Sequence, residues 1–282
     1  MMTERKSPKS AVNFKMRNSS DPNSVDFDDD NKDRRFVTAL ARGLDVLRCF
    51  QPGEVSLGNL EIAKRTKLPK PTISRLTYTL TKLGYLSYSE QHGTYQLGAG
   101  VLQLGYAMLS GLDIRERARP LMQALANKVD ATIALGSRDR LEMVYLETCR
   151  GPGAVTLRID VGSHIPISST SMGRALLAAL PENERDYLMA HIKKKTANAQ
   201  EYERIEKGIK QAISDIKKRG FSMSLGDWRS EVHAVGVPLI THDNNAYALN
   251  CGGPAFRVSK EYLEKECGPR LVELAHKISA LS

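Results

Sequence analysis

Between Pro69 and Leu83 the chain sets Lys70, Thr72, Ser74, Arg75, Tyr78 and Lys82 along one side of a helical repeat, with Pro71 in the first turn and no acidic residue in the run. Short hydroxyls and long cations facing one way form a surface suited to phosphate oxygens and base edges. Such a helix needs support, and its neighbours supply it. Leu60, Ala63, Leu68, Ile73, Leu76, Leu80 and Leu83 are spaced to pack a short helix against a longer one across a turn near Lys67–Leu68. Ala63 stands at the expected crossing, where a small side chain permits close approach. Pro69 and Pro71 suit the first turn of the second helix, where a missing N–H costs nothing.

The segment after this helix reads as a β-hairpin. Leu83–Gly84 caps the helix, Tyr85–Tyr88 alternates like a strand, Glu90–Gly93 supplies a turn carrying His92, and Thr94–Leu97 returns. Helix, glycine, strand, turn and strand is the order of a winged helix-turn-helix, with His92 of the wing counted among the residues facing DNA. Upstream, Phe36–Phe50 is a third helical pattern, with Leu40, Leu44, Leu47 and Phe50 on one face to complete the core. A solvated amphipathic helix of any α/β domain would also expose Lys and Thr; the hairpin in the required order favours the DNA reading.

Composition sets the outer bounds. The 282 residues suffice for two domains, and 41 % apolar residues can fill ordinary cores. A net charge of +9 favours a polyanionic partner. The region Phe36–Gly98 carries eight Lys/Arg against four Asp/Glu, so part of that surplus sits where the DNA motif lies. Cys49, Cys149, Cys251 and Cys267 are widely separated, which favours reduced thiols over disulfides or a zinc knuckle. No apolar run approaches the ~20 residues of a membrane span, and the N-terminus lacks a signal-peptide apolar core. A cytoplasmic protein is expected. Residues 1–35, basic and then acidic, read as a disordered tail, either simply solvated or an arm along DNA.

The rest of the chain reads as a second domain. Val101, Leu104, Met108 and Leu112 recur at helical spacing, giving a linker helix over 99–113 whose stripe faces either a partner subunit or its own chain. A helix over Arg115–Val129 follows. Strands are expected over Thr132–Ser137, Leu141–Cys149, Ala154–Asp160, Phe221–Leu225, His233–Ile240 and Ala246–Cys251. Helices are expected over Met172–Leu180, Glu182–Ile192, Glu201–Arg219 and Ser259–Leu281. Hairpin turns at Arg138–Arg140 and Asp243–Asn245 make the sheet antiparallel with helices outside it. The hydroxyl run Ser168–Ser171 precedes an apolar helix, which is capping chemistry and also leaves free N–H groups for an anion. Gly226–Ser230 holds the single tryptophan, Trp228, beside Asp227 and Arg229, either a pocket wall or a surface loop.

Several separated runs, in order, resemble the IclR family of bacterial transcriptional regulators: TALARGLDVLRCF, LGNLEIAKRTKLPKPTISRLTYTLTKLGYL, GTYQLG, IPISSTSMGRALLAALP and GVPLITHDNNAYALNCGGPA. Together they cover nearly everything from Phe36 to Ser282. The resemblance implies an α+β protein: an N-terminal winged helix-turn-helix DNA-binding domain over 36–98, the linker helix, and a C-terminal GAF/profilin-like antiparallel sheet with flanking helices over 114–282 that binds a small effector. It implies an effector carboxylate held by the backbone N–H groups of Ser171 and Met172, next to Thr170. It also implies that side chains at His233, Ala234, Asn250 and Gly252 line the cavity with Trp228. Gly252 departs from the family, which commonly has a hydroxyl residue there, and this unsettles the transfer of any particular effector. His233 and Asn250 have an ordinary alternative as hydrogen-bonded core residues.

The expected partners are therefore double-stranded DNA, a small organic acid and further copies of the chain. Two-fold DNA sites need two reading helices about one turn apart, so at least a dimer is implied; the resemblance adds a dimer of dimers. No catalytic residue, metal or cofactor is assigned. Ser169 stands where a nucleophile elbow needs its first glycine, and the six histidines show no metal spacing. A small-acid enzyme with a DNA-binding appendage is the alternative. An RNA-binding or architectural protein would need exposed aromatic platforms that the sequence does not offer.

Overall fold

Two residues forced into left-handed backbone conformation set the limits of the helix-turn-helix. Lys67, at φ 56°, ends the short helix α2 (Asn59–Thr66) and turns the chain into α3 (Lys70–Lys82). Pro69 is the extended residue in front of α3, and Pro71 lies in its first turn, where neither loses a helix hydrogen bond. Gly84, at φ 79°, ends α3, and the Tyr85 N–H closes the turn on the Leu80 carbonyl at 2.9 Å.

The computed structural model describes residues 35–153 and 159–281. Except for Arg35, the charged tail expected over 1–35 lies outside the described residues, as do residues 154–158 of the strand expected over Ala154–Asp160; Ile159 and Asp160 are not in a strand. Along the chain the two units divide between Gly111 and Leu112.

In the first unit, α1 (Thr38–Arg48), α2 and α3 enclose a core of Val46, Cys49, Leu57, Ile62, Ile73 and Leu86. The wing is the hairpin β2 (Leu86–Ser89) and β3 (Thr94–Leu97), turned at Gly93. A strand the sequence pattern did not reveal, β1 (Leu57–Gly58), pairs with β3 and makes the sheet three-stranded. Four expected core residues are corrected: Leu40, Leu44, Leu60 and Leu83 are all exposed. Residues two apart on a helix point roughly 200° apart, so once Ile62 and Val46 face inward, Leu60 and Leu44 must face out. Arg65 ties the unit together: it donates to Glu54 at 2.6 Å, to Glu61 at 2.8 Å and to the Cys49 carbonyl at 2.8 Å. The helix α4 (Ala99–Ser110) ends this unit and buries none of its residues, with Leu102, Leu104, Tyr106 and Met108 all exposed.

The second unit is a six-stranded antiparallel sheet in the order β6-β5-β4-β9-β8-β7. Its strands are β4 (Thr132–Asp139), β5 (Glu142–Cys149), β6 (His164–Pro166), β7 (Ser222–Leu225), β8 (Val232–Ile240) and β9 (Ala246–Pro254). The three-residue β6 was too short to announce itself in sequence. The sheet's two faces are covered by α6 (Ser171–Ala179) with α8 (Ala199–Arg219), and by α5 (Asp113–Val129) with α10 (Gly268–Leu281); α7 (Glu182–Lys195) joins α6 to α8. The helix expected over Ser259–Leu281 begins as α9 (Lys260–Tyr262) and is widened by a π turn at Leu263–Cys267 before α10. Buried Glu147 of β5 holds α5 in place, ion-paired with Arg115 at 2.9 Å and accepting from Arg119 at 2.7 Å. Among the described residues no helix is long and apolar enough to cross a membrane.

Candidate functional site

Helix α3 turns Ile73 and Thr77 into the core, and the Thr77 hydroxyl is spent on the Ile73 carbonyl at 2.9 Å. The other side is left to solvent: Lys70, Pro71, Ser74, Arg75, Tyr78 and Lys82 are exposed, and Thr72 is half-buried. Lys82 Nζ lies 5.5 Å from the centre of the Tyr78 ring, which groups a cation and an aromatic face near the end of the helix. In the wing, Tyr88 and Tyr95 pack at 4.8 Å between ring centres, and exposed His92 contacts the Ser89 hydroxyl at 3.0 Å through Nδ1. The eight residues expected to face DNA therefore fall on one helix and on the wing of the same unit.

In the second unit, strand register builds a pocket from small residues. One cross-strand row reads Thr132, Gly252, Ala234, Ser224; the next reads Thr148, Ala134, Asn250, Gly236, Ser222; a third begins Tyr145, Gly136, Ala248. Residues in a row share a face of the sheet, and this face meets the start of α6. Glycine is required where they touch. A Cβ on Gly236 would overlap the Ser171 carbonyl and lie 2.8 Å from the Met172 nitrogen, and one on Gly136 would lie 2.5 Å from the Met172 sulfur. The cleft left between has about 560 Å³ of free space, its open mouth included. Trp228, Ile159, Ile165, Val232 and Tyr145 add apolar wall.

Among the described residues, no lining side chain carries a formal charge. Polar chemistry comes from the helix start and from two strands. Thr170 caps α6: its hydroxyl accepts from Gly173 N–H at 3.2 Å and donates to the Pro166 carbonyl at 2.7 Å. Arg174 N–H reaches the Thr170 carbonyl. The N–H groups of Ser171 and Met172 have no acceptor within the helix. Ser171 is 1 % exposed, and its Oγ has no hydrogen-bond partner. Asn250 donates to the Tyr145 hydroxyl at 3.2 Å, while its buried Oδ1 is unpartnered. Burial pushes the Tyr145 hydroxyl up to about 12, so it stays protonated at neutral pH.

Of the residues singled out from sequence, Thr170, Ser171, Trp228, Ala234, Asn250 and Gly252 line this cleft. Two do not place their side chains there. Met172 is fully buried in the core between α6 and the sheet and is not among the residues that line the cleft. His233 stands between the lining residues Val232 and Ala234, so its ring faces the other side of the sheet, where Nδ1 contacts the Val258 carbonyl at 3.0 Å. Its ordinary role as a hydrogen-bonded structural histidine is the one observed. Tyr145 and Ser224 were missed. Nothing local marks a tyrosine inside a strand as a pocket residue; its pairing with Asn250, 105 positions away, does. Trp228 is held by its neighbours: Asp227 pairs with buried Arg174 of α6 at 2.6 Å, and the Arg229 guanidinium lies 4.4 Å over the indole.

Residues 106–280 match the family model described as the bacterial transcriptional regulator IclR C-terminal domain, and residues 39–90 match the IclR helix-turn-helix domain. The regulator TsaQ1/TsaQ2 of Comamonas testosteroni is 34 % identical over 248 residues, covering 87 % of this chain and 88 % of that protein. The crystal structure of an IclR family regulator from Brucella abortus is 49 % identical with a TM-score of 0.81, covering 89 % of this chain and 94 % of the other. An IclR homologue from Microbacterium hydrocarbonoxydans, solved in complex with 4-hydroxybenzoate, shares the fold at 21 % identity and a TM-score of 0.68, with 86 % and 98 % of the two chains covered. The chain belongs to the IclR family of transcriptional regulators and carries that family's helix-turn-helix DNA-binding domain.

Proposed function

We propose that α3 of this regulator enters the major groove of duplex DNA, with Arg75 and Ser74 toward base edges and Lys70, Thr72, Tyr78 and Lys82 toward the backbone, while His92 of the wing presses on the flanking phosphates. In this reading 36–98 is the DNA-binding domain, 99–113 the linker, whose helix α4 ends at Ser110 rather than running to 113, and 114–282 the effector domain. The domain pairs with a second copy through the apolar side of α4, whose Leu104 and Met108 are exposed, and two such dimers form the working assembly. No enzyme activity is part of the reading.

The effector is a small organic acid. Its carboxylate lies on the N–H groups of Ser171 and Met172, and its remaining atoms lie against Trp228, Ala234, Asn250 and Gly252. The observation that carries this reading is the start of α6. A helix N-terminus favours negative charge, and here it fronts a pocket with no charged side chain among the described residues and with a buried, unpartnered Ser171 hydroxyl. The homologue of the same fold that is complexed with 4-hydroxybenzoate holds an acid. Isothermal titration of the full chain against small carboxylates and their matching carboxamides tests it. A carboxylate binds and its amide does not; binding of the amide alone, or of a cation, refutes the assignment.

A further inference from the structure

The polar groups left open in the cleft say more about the ligand than that it is an acid. Asn250 gives an Nδ2 hydrogen to the Tyr145 oxygen at 3.2 Å and leaves its Oδ1 as a buried acceptor with no partner. Because the Tyr145 oxygen receives that bond, its own proton is available to an acceptor in the cleft both residues line. The dyad thus offers one acceptor and one donor side by side. A carboxylate there would set lone pairs against Asn250 Oδ1, and an ammonium could not accept from Tyr145. A hydroxyl satisfies both at once, donating to Asn250 and accepting from Tyr145.

The register also sets this dyad beside the seat of α6. The first turn of α6 rests on Gly236, close enough that a Cβ there would lie 2.8 Å from the Met172 nitrogen. Gly236 pairs directly with Asn250 on the adjacent strand. Neighbouring strands are about 4.8 Å apart, so the strand on which the start of α6 rests lies directly beside the strand that carries Asn250. Ser171, whose buried Oγ has no partner, lines the same cleft.

We propose that the Tyr145–Asn250 dyad is a hydroxyl-recognition subsite and that the effector is a hydroxy acid whose hydroxyl lies on a carbon at or near the carboxylate. This rests on the reading of the α6 start as the carboxylate site. An acid lacking the hydroxyl leaves Asn250 Oδ1 buried and unpaired, the arrangement by which sites discriminate strongly against a missing hydroxyl.

Matched probes separate the two layers of the argument: propanoate with 2- and 3-hydroxypropanoate, and benzoate with 2- and 4-hydroxybenzoate. Each is titrated calorimetrically into the full chain and followed by emission of Trp228, the single tryptophan, which lines the cleft. The expected result is that the hydroxyl nearest the carboxylate tightens binding roughly 10- to 100-fold over the parent acid. Tyr145→Phe and Asn250→Leu each abolish that gain, read as the ratio of hydroxy-acid to parent-acid affinity within the same variant. Equal binding of parent and hydroxy acids, or a gain that survives both substitutions, overturns the hydroxyl assignment and leaves the anion site standing. Loss of the parent acid in both variants places the dyad against the carboxylate itself and also overturns it. Failure of every acid at millimolar concentration, or equal binding of the carboxamides, removes the anion site and with it this inference.

Discussion

Replacing Gly236 by Ala tests how α6 is seated. The added methyl would overlap the Ser171 carbonyl and sit 2.8 Å from the Met172 nitrogen, and both obstacles are backbone that no side-chain rotation can clear. Ordinary carbon contacts begin at roughly 3.5 Å, so the first turn of α6 must move outward by about 1 Å. Overpacking of this kind costs about 1–3 kcal/mol. A displacement of that size also disrupts the Thr170 cap, worth about 1 kcal/mol, and moves the Ser171 and Met172 donors relative to the Tyr145–Asn250 dyad. The expected total is about 2–4 kcal/mol, read from urea denaturation, with weakened binding of any acid that fits the cleft. Gly105→Ala is the control: it lies mid-way along α4 with nothing within 4 Å of its would-be Cβ, so helix propensity should make it neutral or up to about 1 kcal/mol stabilising. A Gly236→Ala protein within about 0.5 kcal/mol of its parent, with unchanged ligand affinity, would refute the seating of the helix on β8.

The other tests probe separate joints of the structure. Against a duplex selected from a random library, Arg75→Ala should lose about 1–3 kcal/mol and relax specificity at one base pair, whereas Lys82→Ala should weaken all sequences alike and reduce the salt slope by about 1; anisotropy over a salt series reads both. Leu104 and Met108 together changed to Glu should yield monomers in sedimentation, since the exposed apolar side of α4 would then repel its copy. Asp227→Asn leaves Arg174 buried without its counter-charge; because Asp227 is 44 % exposed, water softens the loss to about 1–2 kcal/mol, and freer Trp228 should be quenched more readily by acrylamide. Arg65 holds the Glu54 carboxyl down at about 2. Its contribution to stability is present above the usual 4.5 and lost as pH falls through about 2, so Glu54→Gln should be less stable than its parent at neutral pH and equal to it near pH 2 in denaturation curves.

The sequence announced those parts of this protein whose signals are local. The periodicity of α3, the prolines at its start, Gly84 at its end and the alternation of the wing lie within one short stretch, and the structure follows them to within a residue or two. Helix rotation was less legible: Leu60 and Ile62 are both apolar, and only packing against α1 and α3 decides that Ile62 is inside. The two short strands β1 and β6 exist because partners exist, Thr94–Tyr95 for one and Glu142–Val144 for the other. The hydroxyl run before α6 and the lone tryptophan did mark the pocket. The seat of α6 did not show, because Gly136 and Gly236 form it only after register aligns β4, β9 and β8, and Gly252 was marked by the family resemblance alone. The facing of His233 followed from the same alternation that makes Val232 and Ala234 line the cleft.

The account as a whole asks one chain to couple two binding events, and equilibrium anisotropy measures that coupling directly. The full-length chain is titrated onto its selected duplex with and without a saturating concentration of the hydroxy acid found by calorimetry, and the pair of titrations is repeated with Asn250→Leu. The account predicts that the acid changes duplex affinity by about 5- to 150-fold, in either direction, and that Asn250→Leu removes the change while binding the duplex normally. Duplex affinity that is identical with and without saturating acid would contradict it.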